Sequence, residues 1–306
     1  MLRALDLIKK GDYTTLSGGL NSTLYLLNID NQKCVLKKYA ESGAPLRLAR
    51  EIAFLEMCHR SEVNNVPKLL NFDDSECLAL LEYVKGNRVV EADETFIIAA
   101  STFVNTINKK SQNHNTPYLA KDAFVNSSQV LTDLVQRAAV LKSCEMPADA
   151  KALILKILSS VDKLLDATPE IVKEFGIIQT HICQENASAL ILSPSDFGIH
   201  NAIETESGIY FLDFEYSGKD SPLKLFGDFI SHPQHHLNEN LIRLFYDRTK
   251  ETLCFELEHF SELFLLLFRL KWCLIMCNPI IKPAQVSSKH LEELSEYYRI
   301  AVKPLL

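Results

Sequence analysis

The spacing of apolar and polar residues divides the chain into a β-rich beginning and a mainly helical remainder. Short apolar runs bounded by turn residues predict strands over 24–29, 33–39, 68–72 and 77–84. The turn residues Asp30 and Asn31 join the first two runs, which predicts a β-hairpin. Apolar residues at helical spacing predict one helix over 44–59.

Beyond residue 85, apolar residues recur mostly at helical spacing and predict a series of helices. The predicted spans are 94–109, 128–142, 148–167, 170–184, 238–255 and 256–276. Pro169 separates the third helix from the fourth, because the residue before a proline is disfavoured in the helical conformation. Residues 189–218 interrupt the series with short apolar runs and turn residues. We therefore expect an α+β fold, with a small β-rich lobe over 1–84 and a larger, mainly helical lobe over 85–306.

Composition narrows the class of protein. The chain has 306 residues, of which 47% are hydrophobic, so it can form a sizeable core without a disulfide or a metal. Its 32 Lys and Arg residues are outnumbered by 39 Asp and Glu residues, for a net charge of −7. Proteins that bind nucleic acids usually carry a basic balance, so we expect no nucleic-acid partner. An acidic chain can still hold a local phosphate site.

The cysteines and the longest apolar stretch favour a cytoplasmic protein. None of the eight cysteines forms a C-x-x-C pair, and scattered thiols are typical of a reducing compartment. Residues 1–10 lack the apolar run of a signal peptide. Residues 260–281 are the most apolar, but Glu262, Arg269 and Lys271 interrupt them. We therefore expect a buried helix there and no membrane span.

The residues that indicate chemistry lie in the irregular segment. Asp196 and Asn201 are spaced as D-x-x-x-x-N, and Asp213 follows the apolar run 209–212, a predicted strand. Carboxylate and amide oxygens suit Mg²⁺, which usually keeps water and phosphate among its ligands. A second carboxylate would then remain to orient a hydroxyl group. Asp and Asn are also common in turns, but the apolar strand before Asp213 favours the catalytic interpretation.

This pattern resembles the catalytic and metal loops of the protein-kinase-like fold, in which D-x-x-x-x-N precedes a strand and D-F-x. The residues of 212–218, Leu-Asp-Phe-Glu-Tyr-Ser-Gly, are similar to a D-F-E-Y-A-G variant of the aminoglycoside phosphotransferase and choline kinase group. Other segments resemble that group's phosphate-covering hairpin (16–25), strand lysine (35–37), helix glutamate (50–55) and hinge (81–84). Each motif alone is weak evidence for the resemblance. Their occurrence over 16–228 in the same order as in that group makes the resemblance specific.

The resemblance implies a set of nucleotide-binding residues. Lys37 would offset charge on the α- and β-phosphates, and Glu51 would hold Lys37 in place. Glycines in the hairpin would let backbone N–H groups approach a phosphate closely. The remaining expected nucleotide-binding residues are Ser17, Gly18, Gly19, Asn21 and Ser22 in the hairpin, Val35 on the lysine's strand, and Glu82 and Val84, whose backbones would bind the adenine edge.

The resemblance also implies the catalytic and metal-binding residues. Asp196 would accept or orient the proton of the substrate hydroxyl, and Asn201 and Asp213 would bind Mg²⁺. Pro194 and Gly198 replace two histidines that mostly support loop geometry in that group. The expected cofactors are therefore ATP, with GTP as the less favoured donor, and Mg²⁺.

Two of these positions have nearby residues of the same type. Lys38 follows Lys37, but only the latter shares a strand face with Val35. Glu56 and Glu62 are rivals to Glu51, whose Arg-Glu context matches the group. The simpler interpretation of Lys38 and Glu56 is that they are solvated surface residues.

We expect an ATP-dependent phosphotransferase that moves the γ-phosphate to a hydroxyl of a metabolite, sugar or amino alcohol. Its partner would be a small-molecule acceptor. A catalytically inactive, nucleotide-binding regulatory protein of the same fold is the alternative, because the two loop histidines are missing. A protein kinase is disfavoured, because no Ala-Pro-Glu motif follows Asp213.

Overall fold

A five-stranded antiparallel sheet forms the β-rich part of the chain. Its strands are β1 (Thr14–Leu16), β2 (Ser22–Ile29), β3 (Gln32–Tyr39), β4 (Leu69–Asp73) and β5 (Leu78–Glu82). They lie in the order β1-β2-β3-β5-β4. The computed structural model describes residues 1–16, 22–40, 42–111, 116–126, 129, 131–185, 190–281 and 288–306. The four predicted strands correspond to β2, β3, β4 and β5.

The predicted hairpin turn at Asp30 and Asn31 is confirmed. The pairing of β2 with β3 runs from Ser22 opposite Tyr39 to Ile29 opposite Gln32, which leaves only the two turn residues between them. Both turn residues have positive φ, 52° and 63°. Asp and Asn tolerate this left-handed conformation, and a two-residue turn of this kind matches the twist of the strands. Local sequence therefore sets the register of β3.

The two faces of the sheet have different neighbours. One face packs on helix α1 (Leu2–Lys10) in a core that contains Ala4, Leu27, Cys34, Leu36, Leu78 and Leu80. Because successive strand residues point to opposite sides, Val35, Lys37 and Tyr39 lie on the other face of β3. Helix α1 was not predicted, because its nine residues are too few for a clear helical period.

Two further helices and five short strands accompany the large sheet among the described residues. Helices α2 (Ala44–Arg60) and α3 (Glu94–Ser111) match the predicted spans, and α2 has a proline in its first turn, where proline is favoured. The short strands are β6 (Asn87–Arg88), β7 (Ile191–Ser193), β8 (Ala202–Thr205), β9 (Gly208–Phe211) and β10 (Gly218–Asp220). One small sheet has the order β6-β8-β9, and β7 pairs with β10. The described part of the predicted segment 189–218, which begins at residue 190, is thus irregular and strand-bearing, as expected.

Packing divides the chain into two compact units. The first unit contains Met1–Lys121 and Leu192–Lys219, so most of the irregular segment belongs to the same unit as the large sheet. The second unit contains Asp122–Ile191 and Asp220–Leu306. The expected division into lobes after residue 84 stays a prediction.

Helices dominate the second unit. They are α4 (Thr132–Ser143), α5 (Ala148–Asp166), α6 (Thr168–Glu185), α7 (Pro222–Ile230), α8 (Glu239–Leu253), α9 (Glu262–Met276), α10 (Asn278–Ile281) and α11 (Ser288–Tyr297). Helix α6 begins two residues earlier than predicted, because a proline is accommodated in the first turn of a helix. The predicted helix over 256–276 is wrong at its start, because the side chain of Ser261 accepts a hydrogen bond from the Phe264 N–H and caps α9 there.

One segment of the described residues, Glu262–Ile280, is long and apolar enough to cross a membrane. Its most apolar window has a mean hydropathy of 1.7, and 56% of that window is buried inside the protein. Within α9, Lys271 is 5% exposed and Arg269 donates a hydrogen bond of 2.8 Å to the carbonyl of Ala301. These contacts are typical of a helix that packs in a protein core.

Candidate active site

The candidate site is centred on the buried ammonium group of Lys37. Its Nζ lies 2.7 Å from Oε2 of Glu51 and 2.7 Å from Oδ1 of Asp213. Lys37 is 2% exposed, whereas Lys38 on the opposite face of β3 is exposed. The structure therefore brings together three of the residues expected at the site, from β3, α2 and the loop after β9.

Glu51 is held by contacts beyond Lys37. The hydroxyl of Tyr39 donates to Oε2 of Glu51, and the N–H of Phe214 donates to Oε1 over 3.3 Å. The rings of Phe54 and Phe214 stack with centroids 4.3 Å apart, which packs α2 against the loop that carries Asp213. Because both oxygens of Glu51 are engaged, its carboxylate has a defined orientation towards Lys37.

Two further charged residues belong to the site, Glu215 and Arg47, and neither is among the residues expected from the sequence. Oε2 of Glu215 lies 3.1 Å from Nζ of Lys37, and Oε1 lies 3.3 Å from Nη1 of Arg47. The Asp-Phe-Glu string already contained Glu215, and the i, i+4 spacing of Arg47 and Glu51 places both on one face of α2. These two signals could have identified them.

The charges of this cluster determine its protonation. Burial alone would lower the pKa of Lys37, but attraction to Asp213, Glu51 and Glu215 outweighs it and holds the pKa well above the ordinary value of 10.5. Burial raises the pKa of Glu215 above 4.5, and the neighbouring Asp213 and Glu51 carboxylates add to the rise. Lys37 is therefore a permanent cation at neutral pH.

Asp213 and Asn201 lie at the same end of a β-hairpin. Asn201 precedes β8 and Asp213 follows β9 by two positions, while the Leu212 N–H donates to the Asn201 carbonyl over 2.8 Å. Asp213 has a positive φ of 63° and its side chain is 37% exposed. The left-handed conformation is uncommon outside glycine and is frequent at functional sites.

The donor chemistry of these two residues fits Mg²⁺. The Asn201 amide uses Nδ2 to donate to the Asp196 carbonyl over 2.9 Å, which leaves its Oδ1 as a ligand oxygen. Asp213 uses Oδ1 for Lys37, and no described residue binds its Oδ2. A carboxylate oxygen and an amide oxygen are hard ligands of the kind that Mg²⁺ prefers.

Asp196 lies in the loop between β7 and the turn Ile199–Asn201. Its side chain is 35% exposed, and its Oδ1 lies 3.2 Å from Nε2 of His200. Ser195, just before it, has a positive φ of 68°. The loop thus presents a carboxylate that is accessible and held by its neighbours.

The expected adenine-binding residues follow β5. The Glu82 N–H donates to the Lys68 carbonyl over 2.9 Å, so this N–H is already engaged. Val84 lies beyond the end of the strand and is half-buried. Gly86 lies two residues further on. A Cβ atom added to it would lie 2.2 Å from the Glu204 carbonyl oxygen, so the chain passes too close to β8 at this position for any side chain. The binding role of Glu82 and Val84 stays a prediction.

The remaining expected nucleotide-binding residues lie on or beside β2 and β3. Val35 is half-buried and pairs with Leu26 on one side and Leu81 on the other. Ser22 begins β2. The other hairpin residues, Ser17, Gly18, Gly19 and Asn21, lie outside the described residues. Their expected contact with phosphate stays a prediction.

Solved structures similar to this one define the fold. The choline kinase LicA from Streptococcus pneumoniae is 14% identical and has a TM-score of 0.63, with 99% of this chain and 97% of that chain covered. A choline kinase from Cryptosporidium parvum is 14% identical and has a TM-score of 0.62, with 98% of this chain and 95% of that chain covered. The ADP-bound aminoglycoside phosphotransferase APH(2'')-Ib is 14% identical with a TM-score of 0.55, covering 99% and 98%.

The chain therefore has the protein-kinase-like fold of the choline kinases and aminoglycoside phosphotransferases, as the sequence motifs predicted. No family model and no curated protein sequence matches it. At this level of identity the similarity establishes the fold, and function has to be argued from the site.

Proposed function

We propose that this protein is an ATP-dependent phosphotransferase that moves the γ-phosphate to a hydroxyl group of a small molecule. The observation that carries the proposal is the position of Lys37 between Glu51 and Asp213, at 2.7 Å from each. A lysine held by a helix glutamate, beside an aspartate with a free oxygen, is the arrangement that protein kinases use for phosphoryl transfer. The fold similarity to kinases and phosphotransferases supports it.

Lys37 and the loop residues would bind the nucleotide. The ammonium group of Lys37 would contact the α- and β-phosphates, with Glu51 fixing its direction. Oδ1 of Asn201 and Oδ2 of Asp213 would hold Mg²⁺, which supplies charge neutralisation on the phosphates when bound. One similar structure is bound to ADP, which supports nucleotide binding, and ATP is the donor that we propose.

Asp196 would act on the acceptor. Its carboxylate accepts or orients the proton of the hydroxyl, and the hydroxyl oxygen forms a bond to the γ-phosphorus. The bond between that phosphorus and the oxygen that bridges it to the β-phosphate breaks, and ADP leaves with the electron pair. This reaction depends on positioning and charge stabilisation more than on covalent chemistry by the protein.

The acceptor we propose is a metabolite, a sugar or an amino alcohol. The similar structures include choline kinases, whose name specifies an amino alcohol, and aminoglycoside phosphotransferases. Pro194 and Gly198 give the catalytic loop a sequence unlike that of the common antibiotic-modifying enzymes, so we favour a metabolite as the acceptor.

All eight cysteines are free thiols, which agrees with a reducing, cytoplasmic location.

ADP release tests the proposal. MgATP is incubated with the protein and a panel of choline, ethanolamine, glycerol, glucose and kanamycin. We expect release with at least one acceptor, and Asp196→Asn should abolish it while nucleotide binding persists in a thermal-shift assay. Nucleotide binding without release from any acceptor would favour the inactive regulatory protein. Near-normal turnover by Asp196→Asn would contradict the role of Asp196.

A further inference from the structure

The carboxylate of Asp196 has its own hydrogen-bond partner within the loop, His200. The Nε2 atom of His200 lies 3.2 Å from Oδ1 of Asp196, within the range of a hydrogen bond. The backbone of the loop is fixed separately, because the Asn201 side chain binds the Asp196 carbonyl over 2.9 Å and Ser195 N–H donates to Ser193 Oγ over 3.1 Å. Backbone and carboxylate are therefore held by different residues.

A partner on one oxygen determines how the other oxygen points. The last torsion of an aspartate side chain is broad and roughly two-fold, so an unsupported carboxylate samples many orientations. A hydrogen bond from His200 to Oδ1 would restrict that rotation and direct Oδ2 towards a hydroxyl group. The side chains of His200 and Asp196 are 22% and 35% exposed, so water competes only partly for the bond.

The position of His200 follows from the local structure. The turn Ile199–Asn201 places His200 four residues after Asp196, directly before the expected Mg²⁺ ligand Asn201. Pro194 and Gly198 occupy the two positions where the resembled group has histidines. His200 thus supplies an imidazole beside Asp196 in a loop that lacks the two histidines of that group.

We propose that His200 is a positioning residue that orients the Asp196 carboxylate for phosphoryl transfer, an inference that rests on the proposed function. It acts through Asp196 and does not touch the reacting atoms. Loss of the imidazole should lower the rate of transfer without changing the affinity for the nucleotide, because His200 has no role in binding phosphate.

The test compares His200→Ala with His200→Gln, whose side-chain amide can also donate to Oδ1. ADP release from MgATP is measured with the best acceptor of the panel above. We expect His200→Ala to lower kcat by about tenfold or more, since small errors of positioning have effects of this size. KM for ATP and the melting temperature should not change, and His200→Gln should regain a large part of kcat. His181→Ala, at an exposed position of α6, is the control and should behave as the unaltered protein.

The melting temperature separates positioning from a general structural effect. If His200 acts by orienting Asp196, then His200→Ala should keep the melting temperature of the unaltered protein while its kcat falls. A kcat of His200→Ala equal to that of the unaltered protein would overturn the inference. A rise in KM for ATP with kcat unchanged would also overturn it.

The same measurements distinguish failure of this inference from failure of the proposed function. No ADP release above the level of Asp196→Asn, with any acceptor of the panel, would overturn both. Release that depends on Asp196 but is unaffected by His200→Ala would overturn only the role of His200.

Discussion

Lys37 and Asp213 are 176 residues apart in sequence, yet Nζ of Lys37 lies 2.7 Å from Oδ1 of Asp213. The hairpin turn at Asp30 and Asn31 sets the register of the strand that carries the lysine. The strand β9, paired with β8, ends two positions before the aspartate. The ion pair therefore joins two hairpins of the same compact unit, and a nucleotide with Mg²⁺ would engage both of its members.

We predict that Asp213→Ala weakens binding of MgATP by about tenfold or more, because it removes a proposed metal ligand. Binding of ATP in the absence of Mg²⁺ should change much less. Isothermal titration calorimetry with and without Mg²⁺ measures both affinities. Asp162→Ala, on the exposed surface of α5, is the matched control. Equal losses with and without Mg²⁺ would contradict the assignment of Asp213 as a ligand.

Glu51 and Glu56 lie on the same helix and give a direct comparison. Glu51 is 2% exposed and binds Lys37, whereas Glu56 pairs with Arg60 at the surface over 3.4 Å. We predict that Glu51→Gln lowers kcat/KM for ATP and reduces the free energy of unfolding by about 1–3 kcal/mol, as expected for weakened buried hydrogen bonds. Glu56→Gln should cost less than about 1 kcal/mol and leave activity unchanged. Denaturant unfolding and ADP release measure the two effects, and the reverse order would refute the assignment of Glu51.

Replacing Gly86 or Gly176 by alanine should change the free energy of unfolding in opposite directions. A Cβ at Gly86 would lie 2.2 Å from the Glu204 carbonyl oxygen, whereas a Cβ at Gly176 in α6 would meet nothing within 4 Å. Gly86→Ala should lower the free energy of unfolding by about 1–3 kcal/mol through overpacking. Gly176→Ala should raise it by up to about 1 kcal/mol, because alanine is the better helix former. Urea unfolding of both variants checks the contrast, which would fail if Gly86→Ala were neutral.

Asp228 should make the second unit sensitive to acid. Nζ of Lys271 lies 2.7 Å from its Oδ1, and Nζ of Lys224 lies 3.1 Å from its Oδ2. Burial alone would raise the pKa of Asp228, but attraction to Lys271 and Lys224 outweighs it and holds the pKa below the ordinary value of 3.8. The carboxylate therefore contributes stability above pH 3.8, and this contribution is lost as the pH falls below that value.

We predict that Asp228→Asn lowers the free energy of unfolding at pH 7 by about 3–5 kcal/mol, because it leaves buried ammonium groups without their shared carboxylate. Its stability should also fall less steeply below pH 3.8 than that of the unaltered protein. Asp220, whose pKa burial raises, interacts with Asp228 and shares Lys224 with it, so the difference between the two proteins reports on this coupled pair. Urea unfolding across pH 3–7 measures it. Asp162→Asn, which breaks an exposed pair with Lys142, should change stability by less than about 1 kcal/mol.

Local signals were sufficient for most elements of the fold. The strand pattern and the Asp-Asn turn predicted β2 and β3 with their register, and apolar periodicity predicted α2 and α3 closely. The start of α9 was wrong because the apolar pattern began earlier than the Ser261 cap. No span was predicted for helices α1, α7, α10 and α11, since short helices offer few turns in which a period can be recognised.

The order of the motifs predicted the kind of site, but not the contacts within it. Arg47 and Glu215 are charged residues that sequence alone would leave on a solvated surface, yet both are buried beside Lys37. His200 directly precedes Asn201 in the sequence, and only the turn of the folded chain places it beside Asp196. Each of these contacts depends on residues that only the folded chain brings together.

The sequence by itself determined the local conformations and the chemical types at the site, because turns, periodicity and motif spacing depend on near neighbours in the chain. Only the tertiary structure decided that Lys37 is shared by three carboxylates, at 2.7, 2.7 and 3.1 Å. That outcome depends on the packing of β3, α2 and the loop after β9, whose residues lie far apart in sequence. Because these charges are buried, they attract one another more strongly than they would in water, and this attraction keeps Lys37 charged.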